Sequence, residues 1–265
     1  RTPEELAAVA AGGLETGALV RILFLVAGLW WAVFTFIPYL RLKDHPALKP
    51  DAHVSLGNSF RQLRETIDHA RDYPQTLRFL LAFLFFNDGV QTVIAAAAVY
   101  GQYELGMKQT YIFLAVILVN IFGIVGALVM GRIAGRRGAY SVVMGALFIW
   151  ILLVGVGFVV PKGSVALFLL LAIGIGLVVA GTQALSRSMY SQLIPRGREG
   201  EYFSLYQACE RGTSWLGTLL FGVVHQLTGS YRWAIVALVV FFAVGIVLLR
   251  RVDMRTGVVA AGVAV

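Results

Sequence analysis

Asn87, Asp88 and Gln91 sit inside an apolar stretch, residues 77–100, that is long enough to cross a bilayer. A carboxylate at that depth costs about 2.5–3.5 kcal/mol on insertion scales, and an ionisable group inside a membrane marks function by default. The segment still inserts, because its Leu, Ile, Phe and Val residues each return about 0.3–0.6 kcal/mol. Asn87 and Gln91 are four apart and Asp88 and Gln91 three apart, so the three share one broad helical face. A protonatable carboxylate flanked by two amides suits binding of a polar solute or carriage of a coupling proton. A structural acid, hydrogen-bonded to a neighbouring helix at a turn near Gly89, fits the same letters.

A second polar set lies in residues 202–227. Ser204, Gln207, Arg211, Ser214 and Thr218 recur at helical spacing, with Glu210 on their flank and His225 further along. Such a stripe is untenable against lipid, so it faces protein or water. Glu210 and Arg211 point about 100° apart and need not pair. Near the cytosolic side they read as a gate or inter-helix lock, with Glu210 meeting Arg187 across the bundle. Gln183 and Arg187 are four apart on another span. Asn120, midway along a third, either lines a cavity or bonds across helices, and Gly123 and Gly126 beside it read as packing sites. The expected solute or coupling-ion residues are therefore Asn87, Asp88, Gln91, Asn120, Gln207 and Ser214. Other chemistry is absent: His45, His53 and His69 do not share adjacent helical turns, and no phosphate loop, dinucleotide fingerprint or catalytic triad occurs. The chain is expected not to be an enzyme and to need no metal or cofactor.

The elements that must hold these residues follow from composition. Of 265 residues, 58% are hydrophobic and 14% charged; a soluble domain carries about 25% charged residues, so the chain is an all-α polytopic membrane protein. The net charge of +8 does not imply nucleic acid, because the basic residues fall mainly between apolar segments. The one cysteine, Cys209, excludes an intrachain disulfide. Apolar runs of about 20 residues predict seven spans, at 22–40, 77–100, 111–130, 139–160, 165–185, 202–227 and 231–249. Sixteen Lys and Arg residues border one side of this arrangement and five the other. The charge rule then puts the loop at 41–76 and the tail at 250–265 in the cytoplasm, with residues 1–21 outside. Within the loop, Leu56, Phe60, Leu63 and Ile67 form an amphipathic pattern ending near Pro74, and Thr2-Pro3-Glu4-Glu5 resembles a capping box. The start at Arg1 rather than Met suggests a fragment of something longer.

One helix, a long charged loop and six tightly connected helices match how major facilitator transporters join their six-helix halves. Spans 22–40, 139–160 and 231–249 are almost free of polar residues, as the lipid-facing sixth, ninth and twelfth helices of that fold would be. Several stretches resemble the vacuole-effluxer-like branch of that superfamily, which includes fungal autophagy-related vacuolar amino-acid effluxers and many bacterial permeases. They are Phe85-Phe86-Asn87-Asp88-Gly89-Val90-Gln91-Thr92, Gly181-Thr182-Gln183-Ala184-Leu185-Ser186-Arg187-Ser188, Leu193-Ile194-Pro195, Glu201-Tyr202-Phe203 and Gly229-Ser230-Tyr231-Arg232. The resemblance implies the sixth helix and the C-terminal half (77–249) of a secondary transporter. It would move a small polar solute, amino acids among the candidates, by alternating access with ion coupling. The partners would be that solute, the bilayer and the missing N-terminal half, in a bacterial inner membrane with a cytoplasmic C-terminus. The stretch Gly131-Arg132-Ile133-Ala134-Gly135-Arg136-Arg137-Gly138 is similar to the superfamily's loop motif, but Gly135 stands where an acid usually precedes the arginine. Arg136 then anchors to helix-end carbonyls or lipid phosphate and joins Gln183, Arg187, Glu210 and Arg211 as the expected cytoplasmic gate. The alternative is a non-transporting sensor or scaffold that kept the fold.

Overall fold

A computed structural model describes residues 16–41, 69–212 and 215–262, and every regular element among them is helical. The amphipathic pattern at 56–67, the capping box at 2–5 and Ser214 lie outside the described residues. Residues 1–54 and 55–265 form two compact units. The described part of the first is one helix, α1 (Thr16–Arg41), apolar from Ile22 to Phe34, with Pro38 in its last turn and Trp30 packed on Phe34 at 4.6 Å.

The second unit is a bundle. It runs α2 (Pro74–Val99), α3 (Gln109–Arg137), α4 (Ala139–Val159), α5 (Val165–Gln192), α6 (Glu199–Gly212), α7 (Trp215–Thr228), α8 (Tyr231–Ala237), α9 (Val239–Leu249) and α10 (Met254–Ala260). Pro74 opens α2 at its first turn, where the missing N–H costs nothing. A π-helical turn, Tyr100–Glu104, continues α2 and closes with Leu105 N–H on the Tyr100 carbonyl at 3.1 Å. Arg136 and Arg137 lie in the last turn of α3, where cations meet the negative end of the helix dipole. Gly138, at φ 82°, turns the chain directly into α4.

Among the described residues, six stretches are long and apolar enough to cross a membrane: 20–41, 74–104, 109–137, 139–159, 165–192 and 231–249, the last being α8 and α9 together. They correspond to six of the seven expected spans and make the chain a polytopic, all-α membrane protein. In the seventh, 202–227, the described residues form the helices α6 and α7, and residues 213 and 214 between them lie outside the described residues. The expected loop at 131–138 is corrected, since α3 stays helical through Arg137. Likewise α5 continues to Gln192, so Arg187 projects from a helix rather than from a gap. Apolar runs mark where lipid ends, and good helix formers such as Arg carry the backbone bonds beyond it.

α2 is the central element: 67% of its most apolar window is buried, against 22% for α3. α3 and α5 pack through small residues. Gly176 faces the Val119 carbonyl, Gly126 the Leu177 backbone and Gly181 the Met130 side chain, each so closely that a Cβ would collide. α2 meets α9 the same way, Gly245 lying under Phe86 and Gly89 against Phe241 and Phe242.

Candidate functional site

Three successive residues of α2 point about 100° apart, and each finds a different neighbour. Gly89 lets α9 approach. Asn87, 1% exposed, faces α5 and α6: its Oδ1 accepts from Gln183 Nε2 at 2.7 Å, and its Nδ2 donates to the Glu210 carbonyl at 3.1 Å. Asp88, fully buried, faces α7, where its Oδ2 accepts the Gly217 N–H at 2.7 Å. Gly217 belongs to α7, so this bond ties the Asp88 side chain of α2 directly to the α7 backbone. The approach is close: a Cβ on Gly217 would run into the Thr92 side chain, one turn beyond Asp88. Two buried oxygens here, Asp88 Oδ1 and Thr92 Oγ1, have no hydrogen-bond partner among the described residues.

The amide pair continues into a charge pair. Arg187 Nη2 lies 3.2 Å from Glu210 Oε2, and its guanidinium stands 5.7 Å over the Tyr206 ring. Glu210 is therefore held twice, through its carbonyl by Asn87 and through its carboxylate by Arg187. α2, α5 and α6 are tied together about one to three turns in from the ends of α5 and α6 at Gln192 and Glu199. Below this tie Tyr190, Tyr202, Tyr206, Phe79 and Phe83 form a buried aromatic plug. The Tyr190 hydroxyl donates to the Tyr202 carbonyl at 2.8 Å, and Thr76 Oγ1 donates to the Leu193 carbonyl at 2.7 Å.

Gln91 lies one turn beyond Asn87 on the same side of α2. With Ala95, Glu210, Arg211 and Thr218 it lines a cleft of about 360 Å³ between α2, α6 and α7. Arg211 and Thr218 continue with Trp215, Leu219 and Val223 into an open groove of about 730 Å³ along α7. On the far side of α2, Ile94, Ala97 and Ala98 line an almost wholly apolar cavity of about 330 Å³ shared with α3, α4 and α5.

Of the residues singled out in the sequence, Asn87, Asp88, Gln183, Arg187 and Glu210 converge, and Gln91 and Arg211 share the adjoining cleft. Three are placed elsewhere. Asn120 is exposed at the rim of the apolar cavity and bonds the Val116 carbonyl of its own helix at 2.8 Å, not a neighbouring helix. Gln207 is exposed on α6, and Arg136 is exposed in the last turn of α3. Ser214 lies outside the described residues.

The vacuole effluxer Atg22-like family matches residues 7–262, nearly the whole chain. The chain belongs to that family. A relative in Bacillus subtilis (strain 168), an uncharacterized MFS-type transporter YxiO, is 29% identical over 92% of this chain and 56% of its own. Autophagy-related protein 22-1 of Penicillium rubens is 31% identical over 91% of this chain and 44% of its own. Autophagy-related protein 22 of Kluyveromyces lactis is 28% identical over 90% of this chain and 52% of its own. The chain thus spans about half the length of the curated relatives it matches. No solved structure matches it. Family membership makes it a multi-pass protein of the major facilitator superfamily and not an enzyme, as the sequence led us to expect.

The stretches that carry the family resemblance are those that make the polar inter-helix bonds. Residues 85–92 hold Asn87 and Asp88; residues 181–188 hold Gln183 and Arg187; Leu193 supplies the carbonyl for Thr76. The 229–232 turn supplies a cluster that sequence reasoning missed. Arg232 donates through Nε to Glu104 Oε1 at 3.0 Å, through Nη1 to the Phe158 carbonyl at 2.6 Å and through Nη2 to the Val160 carbonyl at 2.8 Å. One guanidinium so clasps the π-helical turn, the end of α4 and the start of α8. Its resembling turn was the only signal in the letters, because two of its three acceptors are backbone carbonyls.

Proposed function

We propose that this chain is the C-terminal half, with the preceding helix, of a secondary transporter that moves a small polar solute by alternating access. Amino acids are the first candidates, because the family is described as vacuole effluxers and its relatives include an MFS-type transporter. The supporting observation is that the buried polar groups of an otherwise apolar bundle are joined across α2, α5, α6 and α7, beside a cleft with polar walls. In this reading Gln91, Arg211 and Thr218 line the solute path, and Asp88 is the coupling or substrate acid. The Asn87–Gln183 and Arg187–Glu210 pairs are the cytoplasmic gate, closed in this conformation above the tyrosine plug. The open groove along α7 receives the other half of the full protein. The asymmetry of Lys and Arg puts the gate and the C-terminus in the cytoplasm, and a bacterial plasma membrane is the proposed location.

The test is entrance counterflow: full-length protein in liposomes preloaded with an unlabelled amino-acid mixture, with labelled amino acids added outside. Exchange above protein-free liposomes, slowed at least severalfold by Asn87→Ala, is the expected result. Equal uptake with and without protein across amino acids, small peptides and organic cations would refute the transporter reading.

A further inference from the structure

We propose that the coupling ion is a proton and that Asp88 Oδ1 carries it, with the Thr92 hydroxyl as its partner; this rests on the transport reading above. The two oxygens are the polar loose ends of the α2–α7 contact. Asp88 Oδ2 is committed to the Gly217 N–H, whereas Asp88 Oδ1 and Thr92 Oγ1, 0% and 3% exposed by residue, have no partner among the described residues. They lie one turn apart on the same face of α2, and both border Gly217, whose Cβ position abuts Thr92 and the Asp88 carbonyl. A proton on Oδ1 resolves both deficits: the acid O–H donates to Thr92 Oγ1, and the Thr92 O–H turns back to its own i−4 carbonyl. Oδ2 continues to accept from Gly217, so the contact with α7 survives both charge states and is tighter when Asp88 is ionised.

The ionisable groups on the elements around α2 do not replace Asp88 in this role. α9 has none, and α7 has only His225 near its far end. α5 brings Tyr190, whose hydroxyl is bonded to Tyr202, and Arg187, which is paired with Glu210 of α6; Arg211 of α6 faces the cleft. Glu104 of the π-helical turn is clasped by Arg232, and Asp253 and Arg255 belong to α10 at the cytoplasmic end. In the proposed cycle the cleft supplies water to the acid when the α2–α7 contact loosens, because Gln91, three residues from Asp88, and Thr218, next to Gly217, both line it. One proton enters Oδ1 from water on one side of the membrane and leaves to water on the other, and the carboxylate is regenerated.

Infrared titration of the full-length protein in lipid reads the proton directly. The expected result is a carbonyl band of a protonated carboxylic acid that vanishes at alkaline pH, is missing from Asp88→Asn, and moves to higher frequency in Thr92→Val. If Asp88→Asn fails to fold, the Thr92→Val shift still assigns the band. The proposal is overturned if no such band exists at any pH, if Thr92→Val leaves it unmoved, or if sodium chloride abolishes it at constant pH. A band without counterflow would leave the proton site standing and remove transport. Counterflow without a band would do the reverse.

Discussion

Asn87 satisfies a side-chain amide and a backbone carbonyl on two different helices, and no neighbouring side chain can supply both bonds. Replacing it by Ala orphans the Gln183 amide and the Glu210 carbonyl. Inter-helix hydrogen bonds in membranes are worth about 0.6 kcal/mol each and at most about 1.7, so Asn87→Ala is expected to destabilise by about 1–2 kcal/mol in thermal unfolding of the solubilised full-length protein. The Arg187–Glu210 pair is different. Arg187 has 58% of its side chain exposed, and pairs on such rims contribute only about 0.2–1 kcal/mol. Swapping the charges, Arg187→Glu with Glu210→Arg, should leave stability nearly unchanged, and either single change should open the gate and raise solute leak. The letters made Asp88 visible, because an acid in an apolar run stands out. Its partner stayed hidden, because a backbone N–H has no sequence signature. Arg187 and Glu210 were legible as a pair because opposite charges on two inward faces attract; Asn87 and Gln183 were not, because amides accept many partners.

At the scale of elements, the α3–α5 contact depends on glycines that face backbone rather than flexible side-chain ends. Gly126 meets the Leu177 backbone, which cannot swing aside. Gly126→Val should therefore cost more than the roughly 1–3 kcal/mol typical of overpacking, seen as loss of the monodisperse folded peak on size exclusion. The Arg232 clasp carries a parallel expectation. Arg232→Ala strands the Glu104 carboxylate and two carbonyls and should lower stability by about 1–3 kcal/mol. Arg232→Lys should recover only part of the loss, since an ammonium cannot reproduce the fork. α10 offers a pH-dependent case outside the membrane. Asp253 caps it, accepting from the Thr256 hydroxyl and from the N–H groups of Thr256 and Arg255, and these bonds hold its carboxyl below the usual aspartate range. Its contribution is complete above the unfolded value of about 3.9 and fades as pH falls through the lower folded value. Amide protection of α10, corrected for intrinsic exchange, should stay flat above that point and drop below it, and Asp253→Ala should flatten the response. The order of the long apolar helices was readable from apolar runs. Helix ends were not, because α3 and α5 continue into polar sequence where hydropathy is silent.

For the whole molecule, the charge asymmetry predicts which ends of the helices face the cytoplasm. In a background with Cys209 replaced, an impermeant maleimide applied to intact cells should label Lys162→Cys and spare Arg137→Cys. The opposite pattern would invert the topology and move the gate to the outside. The transporter account turns on whether the tie between α5 and α6 opens during the cycle. The decisive measurement is counterflow by the full-length protein carrying Arg187→Cys and Glu210→Cys in that same background, before and after bridging the two thiols with a short reversible cross-linker. Exchange abolished by the bridge and restored by reduction is the predicted result. Exchange that continues at the unbridged rate with the two helices covalently joined would contradict it.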